Sequence, residues 1–167
     1  LAEWYALHVR ANHERVTATY LQGRGVEHFL PLYRTKSRRR DRPGGLLERP
    51  LFSGYLFVRV DLRSPERIAV LQSPGAVKLV GFGSGPPSMI PDEIVRSLRI
   101  LVQDGTSVRP HPYLETGRRA RIVDGPFTDA VGFLDRRGRQ KRLVVTLDLL
   151  GRSVSVPVTD EGVELIF

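Results

Sequence analysis

The sequence predicts an α+β domain close to the split βαβ plan, followed by a small β-barrel. Three observations predict it. Up to Val102, apolar spacing switches between strand and helix periods in the order strand, helix, strand, strand, helix, strand, helix. From Gln103 to Thr116 the periodicity vanishes, and Asp104-Gly105, Pro110 and Pro112 mark a linker. From Gly117 onward every apolar segment is short and period-two. The expected organisation is a domain over 1–102, a flexible linker over 103–116 and a barrel over 117–167.

Trp4 to Val9 is bulky and β-prone and reads as a first strand, with Trp4, Ala6 and His8 on one face. Asn12 is a good N-cap, Glu14 suits a first helical turn, and Val16 and Tyr20 stand four apart before Gly23. Val26, Phe29 and Leu30 make a second strand that Pro31 cuts off. Arg34 to Arg49 holds six Arg and one Lys against Asp41 and Glu48, and is expected to be a basic loop turning at Pro43-Gly44-Gly45. Pro50 to Val60 then reads as the central strand, opened by a Ser53-Gly54 turn. Tyr55, Phe57 and the Arg59 stem fall on one side and Leu56, Val58 and Val60 on the other, which suits a strand buried on both faces.

Ser64-Pro65 starts a second helix with Ile68 and Leu71 on one face and Ser73-Pro74-Gly75 as its stop. Ala76 to Phe82 is strand-like, and 83–87 is a surface loop. Pro91-Asp92-Glu93 opens a third helix whose Ile94, Leu98, Leu101 and Val102 keep the spacing of a core-facing stripe. In the last third, Ala120 and Ile122, Val131 and Phe133, Leu143 to Leu147, Val154 and Val156, and Val163 to Phe167 mark about five strands, separated by turn residues. Closing such strands into a barrel removes exposed edges.

Composition narrows the functional classes. The chain has no Cys, which excludes disulfides and Cys-based metal or nucleophile sites and makes the cytoplasm the expected location. No apolar run reaches the roughly 18 residues of a membrane-spanning helix, and no leader pattern stands at the start. His8, His13, His28 and His111 show no paired metal-ligand spacing, so neither a metal nor a cofactor is expected. Asp61, Asp92, Glu93, Asp124 and Asp129 form no pattern of a catalytic pair, no Ser-His-Asp signature is visible, and Gly83-Ser84-Gly85 lacks the Lys-Ser or Lys-Thr of a phosphate loop. An enzyme is therefore not expected. A net charge of +8 points instead to a polyanionic or acidic partner. Residues 1–116 carry 17 basic and 11 acidic side chains and residues 117–167 carry nine and seven, so the first part is the stronger electrostatic contact.

Gly117-Arg118-Arg119-Ala120-Arg121-Ile122-Val123-Asp124-Gly125-Pro126-Phe127 and on to Gly132 closely resembles the KOW motif of the NusG family of transcription elongation factors. The physics of the segment is readable without the name: Ala120 and Ile122 point inward, Gly125-Pro126 turns, Phe127 plugs the barrel end, and Gly132 permits close backbone approach. Leu149-Leu150-Gly151-Arg152 resembles a turn of the same family. Earlier, Trp4-Tyr5, Pro50 to Val60, Pro74 to Val77 with Gly81-Phe82, and Ile90 to Glu93 resemble the NusG amino-terminal domain, so the resemblance covers nearly the whole chain. Within the family, Glu48 to Phe52 and Tyr55 to Val58 are similar to specialised RfaH/UpxY-like paralogues. Ser53 replaces the Pro of the housekeeping turn, and Glu66-Arg67-Ile68 does not reproduce the His-Thr-Thr element with which RfaH contacts the polymerase gate loop.

The resemblance implies a ferredoxin-like first domain, an SH3-like KOW barrel, and a monomeric elongation and antitermination factor. Its first domain would dock on the β′ clamp helices of bacterial RNA polymerase through Trp4, Tyr5, Phe52, Tyr55 and Phe57. Each of these aromatics is also a natural core residue. Arg34, Lys36, Arg38, Arg39, Arg40 and Arg42 would meet phosphates of upstream or non-template DNA or of nascent RNA, or simply form a solvated loop. Arg10, Asn12 and His13 are a second nucleic-acid candidate. In the barrel, Phe127, Leu149, Leu150 and Arg152 would contact Rho or the ribosomal protein NusE. The alternative is a ribosome-associated RNA-binding KOW protein.

Overall fold

A central strand with apolar residues on both faces needs cover on both, and the chain is built around two such sheets. The computed structural model describes residues 1–36 and 45–167. It divides into two compact units, residues 1–31 with 52–92, and residues 32–51 with 93–167.

In the first unit, β1 (Glu3–Val9), β2 (Glu27–Phe29), β5 (Tyr55–Val60) and β6 (Ala76–Leu79) form an antiparallel sheet in the order β2-β5-β1-β6. β1 and β5 are the inner pair, in register from Glu3 opposite Val60 to His8 opposite Tyr55. Helices α1 (Glu14–Gly23) and α2 (Glu66–Leu71) pack on this sheet. The core cluster is drawn from alternate strand positions, Tyr5, Leu7 and Val9 with Leu56, Val58 and Val60, closed by Leu21 and Val70. The alternation predicted for β5 is therefore the one observed.

Both helices bury faces that the apolar pattern does not indicate. α1 turns Glu14, Thr17 and Leu21 inward while Val16 is exposed. Its buried polar groups are partnered: the Gly54 N–H donates to Glu14 Oε2 at 3.1 Å, and the Thr17 hydroxyl shares its proton between the His13 and Pro74 carbonyls. Asn12 does not cap the helix. It adopts φ +64°, and the helix begins after His13. In α2, Val70 is buried, while Ile68 and Leu71 are exposed.

The second unit corrects the expected basic loop. Leu32–Lys36 (β3) and Leu46–Pro50 (β4) are paired strands, from Leu32 opposite Pro50 to Lys36 opposite Leu46. The predicted Pro43-Gly44 tip lies outside the described residues. α3 (Asp92–Leu101) buries Val95, Ser97, Leu98 and Leu101, with Ile94 only partly covered.

A six-stranded sheet follows, in the order β12-β8-β9-β10-β11-β7. It comprises β7 (Arg109–His111), β8 (Arg118–Ile122), β9 (Val131–Asp135), β10 (Arg142–Leu147), β11 (Arg152–Pro157) and β12 (Val163–Leu165). Five of these are the strands expected from period-two spacing. The sixth, β7, lies inside the segment expected to be a flexible linker: Ser153 sits opposite His111 and Ser155 opposite Arg109. Three residues with two prolines nearby carry no alternation to read, so only pairing with β11 makes this segment a strand.

α3 is joined to this sheet by two side-chain contacts. The Val131 N–H donates to Ser97 Oγ at 3.0 Å, and Arg119 Nη2 donates to Glu93 Oε1 at 2.7 Å. A 470 Å³ cleft between them is lined by Arg96, Arg99 and Arg121 with Glu93 and Asp129.

Candidate partner and nucleic-acid surfaces

Strand alternation separates the five candidate docking aromatics. Tyr5 faces the helices as part of the core cluster, where burial pushes its phenol pKa up, with Glu3 and Asp61 adding to the shift. Trp4, Tyr55 and Phe57 lie on the opposite sheet face, Trp4 bridged to Ile90. Phe52 packs edge-to-face on Phe57 with ring centroids 5.7 Å apart, and Phe29 lies 6.1 Å from Phe57. Trp4, Tyr5, Phe52 and Phe57 are buried, Phe52 with 1% of its surface exposed. Tyr55 alone is half-buried, stacked on His8 at 5.2 Å. Four of the five aromatics thus share one neighbourhood while Tyr5 lies on the other face, and only Tyr55, beside His8, is accessible.

The cationic candidates fall in two places. Arg34 and Lys36 are two residues apart on β3, and both are exposed. Arg49 on β4 is exposed as well. Arg38, Arg39, Arg40 and Arg42 lie outside the described residues. The hairpin is anchored at its base, where the Arg34 N–H donates to the Gly105 carbonyl and the Arg109 guanidinium lies 5.8 Å from the Tyr33 ring centre. Arg10, Asn12 and His13 form the turn between β1 and α1. Arg10 and Asn12 are exposed, and the His13 ring lies against the Gly75 backbone with Nδ1 2.9 Å from the Ala11 carbonyl. His8 opposite Lys78 places one further cation beside this end of the sheet, which sequence spacing does not reveal.

In the C-terminal sheet, Phe127 has only 8% of its surface exposed, as a plug would. Leu149 and Leu150 belong to a short 3₁₀ turn over Asp148–Leu150 and Arg152 opens the strand after it; all three are half-buried, so this turn is the accessible part of the predicted partner surface. Gly151 closes it at φ +61°, a conformation that favours glycine.

Sequence reasoning also missed a buried polar network. His111 Nε2 lies 2.9 Å from Asp135 Oδ2, and His111 Nδ1 lies 3.0 Å from Ser155 Oγ. Arg142 Nε donates to Ser155 Oγ at 2.7 Å, and Arg137 Nε donates to Asp135 Oδ1 at 3.0 Å. Hydrogen bonds from Arg137 hold the Asp135 carboxyl well below the usual carboxylate range. Burial, with Arg109 nearby, lowers the Arg142 pKa. Serine, histidine and aspartate here resemble a nucleophilic triad in composition only. Ser155 is fully buried with its oxygen already accepting from Arg142, so no substrate carbonyl reaches it. The network ties β7, β9, β10 and β11 together. His111, Asp135, Arg142 and Ser155 lie on separate strands, so no local motif announces it.

Among the described residues no group of His, Asp and Glu is arranged to hold a metal ion, and no helix is long and apolar enough to cross a membrane.

The chain thus combines an antiparallel α+β unit that has an aromatic sheet face with a second unit that holds the basic strand pair and a six-stranded sheet. Comparison with known proteins identifies the family. Residues 2–99 match the family model described as NusG, transcription termination factor. The chain is 28% identical to the transcription termination/antitermination protein NusG of Thermus thermophilus, over 92% of this chain and 93% of that protein. It is 31% identical to NusG of Escherichia coli K12, over 70% of this chain and 66% of that protein. A solved structure described as domain interaction in Thermotoga maritima NusG covers 100% of this chain and 98% of its own, with a TM-score of 0.54 at 21% identity, which supports the fold. The chain belongs to the NusG family of transcription termination and antitermination factors.

Proposed function

We propose that this protein is a bacterial transcription elongation factor that docks on the β′ clamp helices of RNA polymerase and modulates pausing, termination or antitermination. In this reading the first unit is a ferredoxin-like split βαβ domain, the C-terminal sheet is an SH3-like KOW barrel, and the protein works as a non-enzymatic cytoplasmic tether. The observation that carries the reading is the aromatic sheet face of Trp4, Phe52, Tyr55 and Phe57, within the residues that match the family. Aromatics give much contact area with few rotors to freeze, as a helical partner requires. Because Trp4, Phe52 and Phe57 are buried, docking through them calls for a rearrangement that exposes them, with Tyr55 and His8 making first contact.

The hairpin supports a second contact. Arg34 and Lys36 are exposed on an anchored strand and would meet the phosphates of DNA or nascent RNA near the polymerase. The turn of Leu149, Leu150 and Arg152 would recruit Rho or NusE. Once the first unit is docked, a weak contact there suffices, because tethering raises the effective concentration. The test is Tyr55→Ala, which removes a half-buried ring. Immobilised RNA polymerase should retain the wild type and lose the variant by at least tenfold while the variant stays folded. Full retention of folded Tyr55→Ala refutes the docking face. Recovery of ribosomal RNA without polymerase from a bacterial lysate would favour a ribosome-associated module instead.

A further inference from the structure

Glu14 opens α1, yet it is turned away from water, with 5% of its surface exposed. Burying a carboxylate is costly, and a Leu or Met of similar size would fill the space without that cost. The charge sits in the first turn of the helix, whose positive end favours it. Among the described residues the side chain makes one hydrogen bond, in which Oε2 accepts the Gly54 N–H at 3.1 Å, 40 residues away in sequence. What this buried charge controls is therefore a single peptide group.

That peptide is the middle one of a tight turn. The Tyr55 N–H donates to the Phe52 carbonyl at 3.0 Å, Gly54 has φ +86° and Ser53 keeps a negative φ, which together define a type II turn over 52–55. Type I and type II turns close with the same hydrogen bond and differ by a flip of the peptide between their second and third residues. The flip reverses the direction of the Gly54 N–H, and only the type II orientation aims it at Glu14. The carboxylate thus selects between two turns that the closing hydrogen bond does not distinguish. The Gly54 carbonyl accepts from the Val9 N–H at 2.8 Å, so Gly54 is tied both to the end of β1 and to the start of α1. The next residue is Tyr55, opposite His8 with the rings 5.2 Å apart, and Phe52 at the start of the turn packs on Phe57.

We propose that Glu14 is a positioning residue for the docking face: it fixes the orientation of the Ser53–Gly54 peptide and so holds Tyr55 beside His8 in the arrangement that meets the helical partner. The consequence for binding rests on the docking reading above, whereas the hold of Glu14 on the turn does not. Without the acceptor, the peptide samples both turn types, and the end of the β1–β5 ladder at His8 and Tyr55 loosens. A surface that is competent for only a fraction of the time binds more weakly by that fraction.

Two measurements on the full chain test it. In the free protein, followed by NMR, the Gly54 amide should exchange with solvent about tenfold faster in Glu14→Ala than in the wild type, while the Tyr5 and Val58 amides, deeper in the β1–β5 ladder, keep their protection. Glu14→Gln, which retains an acceptor oxygen without the charge, should keep the protection at Gly54. On immobilised RNA polymerase, Glu14→Ala should bind about fivefold more weakly and Glu14→Gln within about twofold of the wild type. Gly54→Ala sets a side chain at φ +86° with no atom nearer than 3.7 Å in its way, and should reproduce the loss through the backbone alone. Because both changes spoil one turn, the double variant should bind no more weakly than the weaker single one. Glu14→Met, which fills the space without an acceptor, decides by the same criteria if Glu14→Ala fails to fold. Unchanged Gly54 exchange in the folded variant, equal impairment by Glu14→Gln, or additive losses in the double variant would each overturn the role. If Tyr55→Ala leaves polymerase binding intact, the docking reading alone falls, and Gly54 exchange still decides whether Glu14 sets the turn.

Discussion

Replacing Gly132 by Ala tests the packing of the C-terminal sheet most directly. Gly132 lies on β9 opposite Ala120 of β8, with β10 on its other side. A Cβ built there would stand 2.3 Å from the Val144 carbonyl oxygen and 3.0 Å from its carbon, where ordinary contact begins near 3.4 Å. The obstacle is backbone, so no side chain can rotate away, and β9 and β10 must separate by about 1 Å. Overpacking of this kind costs about 1–3 kcal/mol. If the adjoining ladder peels instead, each lost hydrogen bond costs about 1 kcal/mol. Gly132→Ala should therefore destabilise the unit by about 2–4 kcal/mol, lowering Tm by roughly 8 °C or more for a unit of this size. Gly138→Ala is the matched control: the site is exposed, and the added carbon would meet only Gln140 O at 3.9 Å. Its effect should stay within about 0.5 kcal/mol. Urea and thermal unfolding followed by circular dichroism compare the two, and equal stabilities would refute the close approach of β9 to β10.

Other expectations follow from the polar groups. Thr17→Val should cost about 1–3 kcal/mol in urea unfolding, because it removes a buried donor from the His13 and Pro74 carbonyls without changing side-chain volume much. Asp135 binds protons less readily folded than unfolded, so its contribution to stability is complete above the ordinary carboxylate pKa of about 4 and is lost progressively as pH falls below it. Unfolding titrations from pH 7 to 2 should show that decline, and Asp135→Asn should flatten it. For the hairpin, Arg34→Ala with Lys36→Ala should weaken binding to single-stranded nucleic acid of any sequence and reduce the log–log salt slope by about 1.4, or by about 1.8 on duplex DNA. An unchanged slope would remove these two side chains from the interface.

The sequence by itself determined the succession of elements and the alternation of β5, because period-two apolarity and turn residues are local signals. It determined the family as well, through an ordered series of short motifs. Gly132 was legible as a point of close approach, since a glycine inside a strand pattern has few other uses. What the apolar pattern misassigned were the helix faces: Val16 and Ile68 are exposed, while Glu14 and Thr17 are buried because partners distant in sequence, Gly54 and Pro74, satisfy them. Tertiary structure alone decided that the two flanks of the basic segment pair as strands, that Phe52 is buried against Phe57, and that part of the linker is a strand. The physical reason is common to all three. A hydrogen-bond partner or a ring neighbour tens of residues away leaves no periodicity in the segment it stabilises, so His111, Asp135 and Ser155 carry no mark of one another until the fold brings them within 3.0 Å.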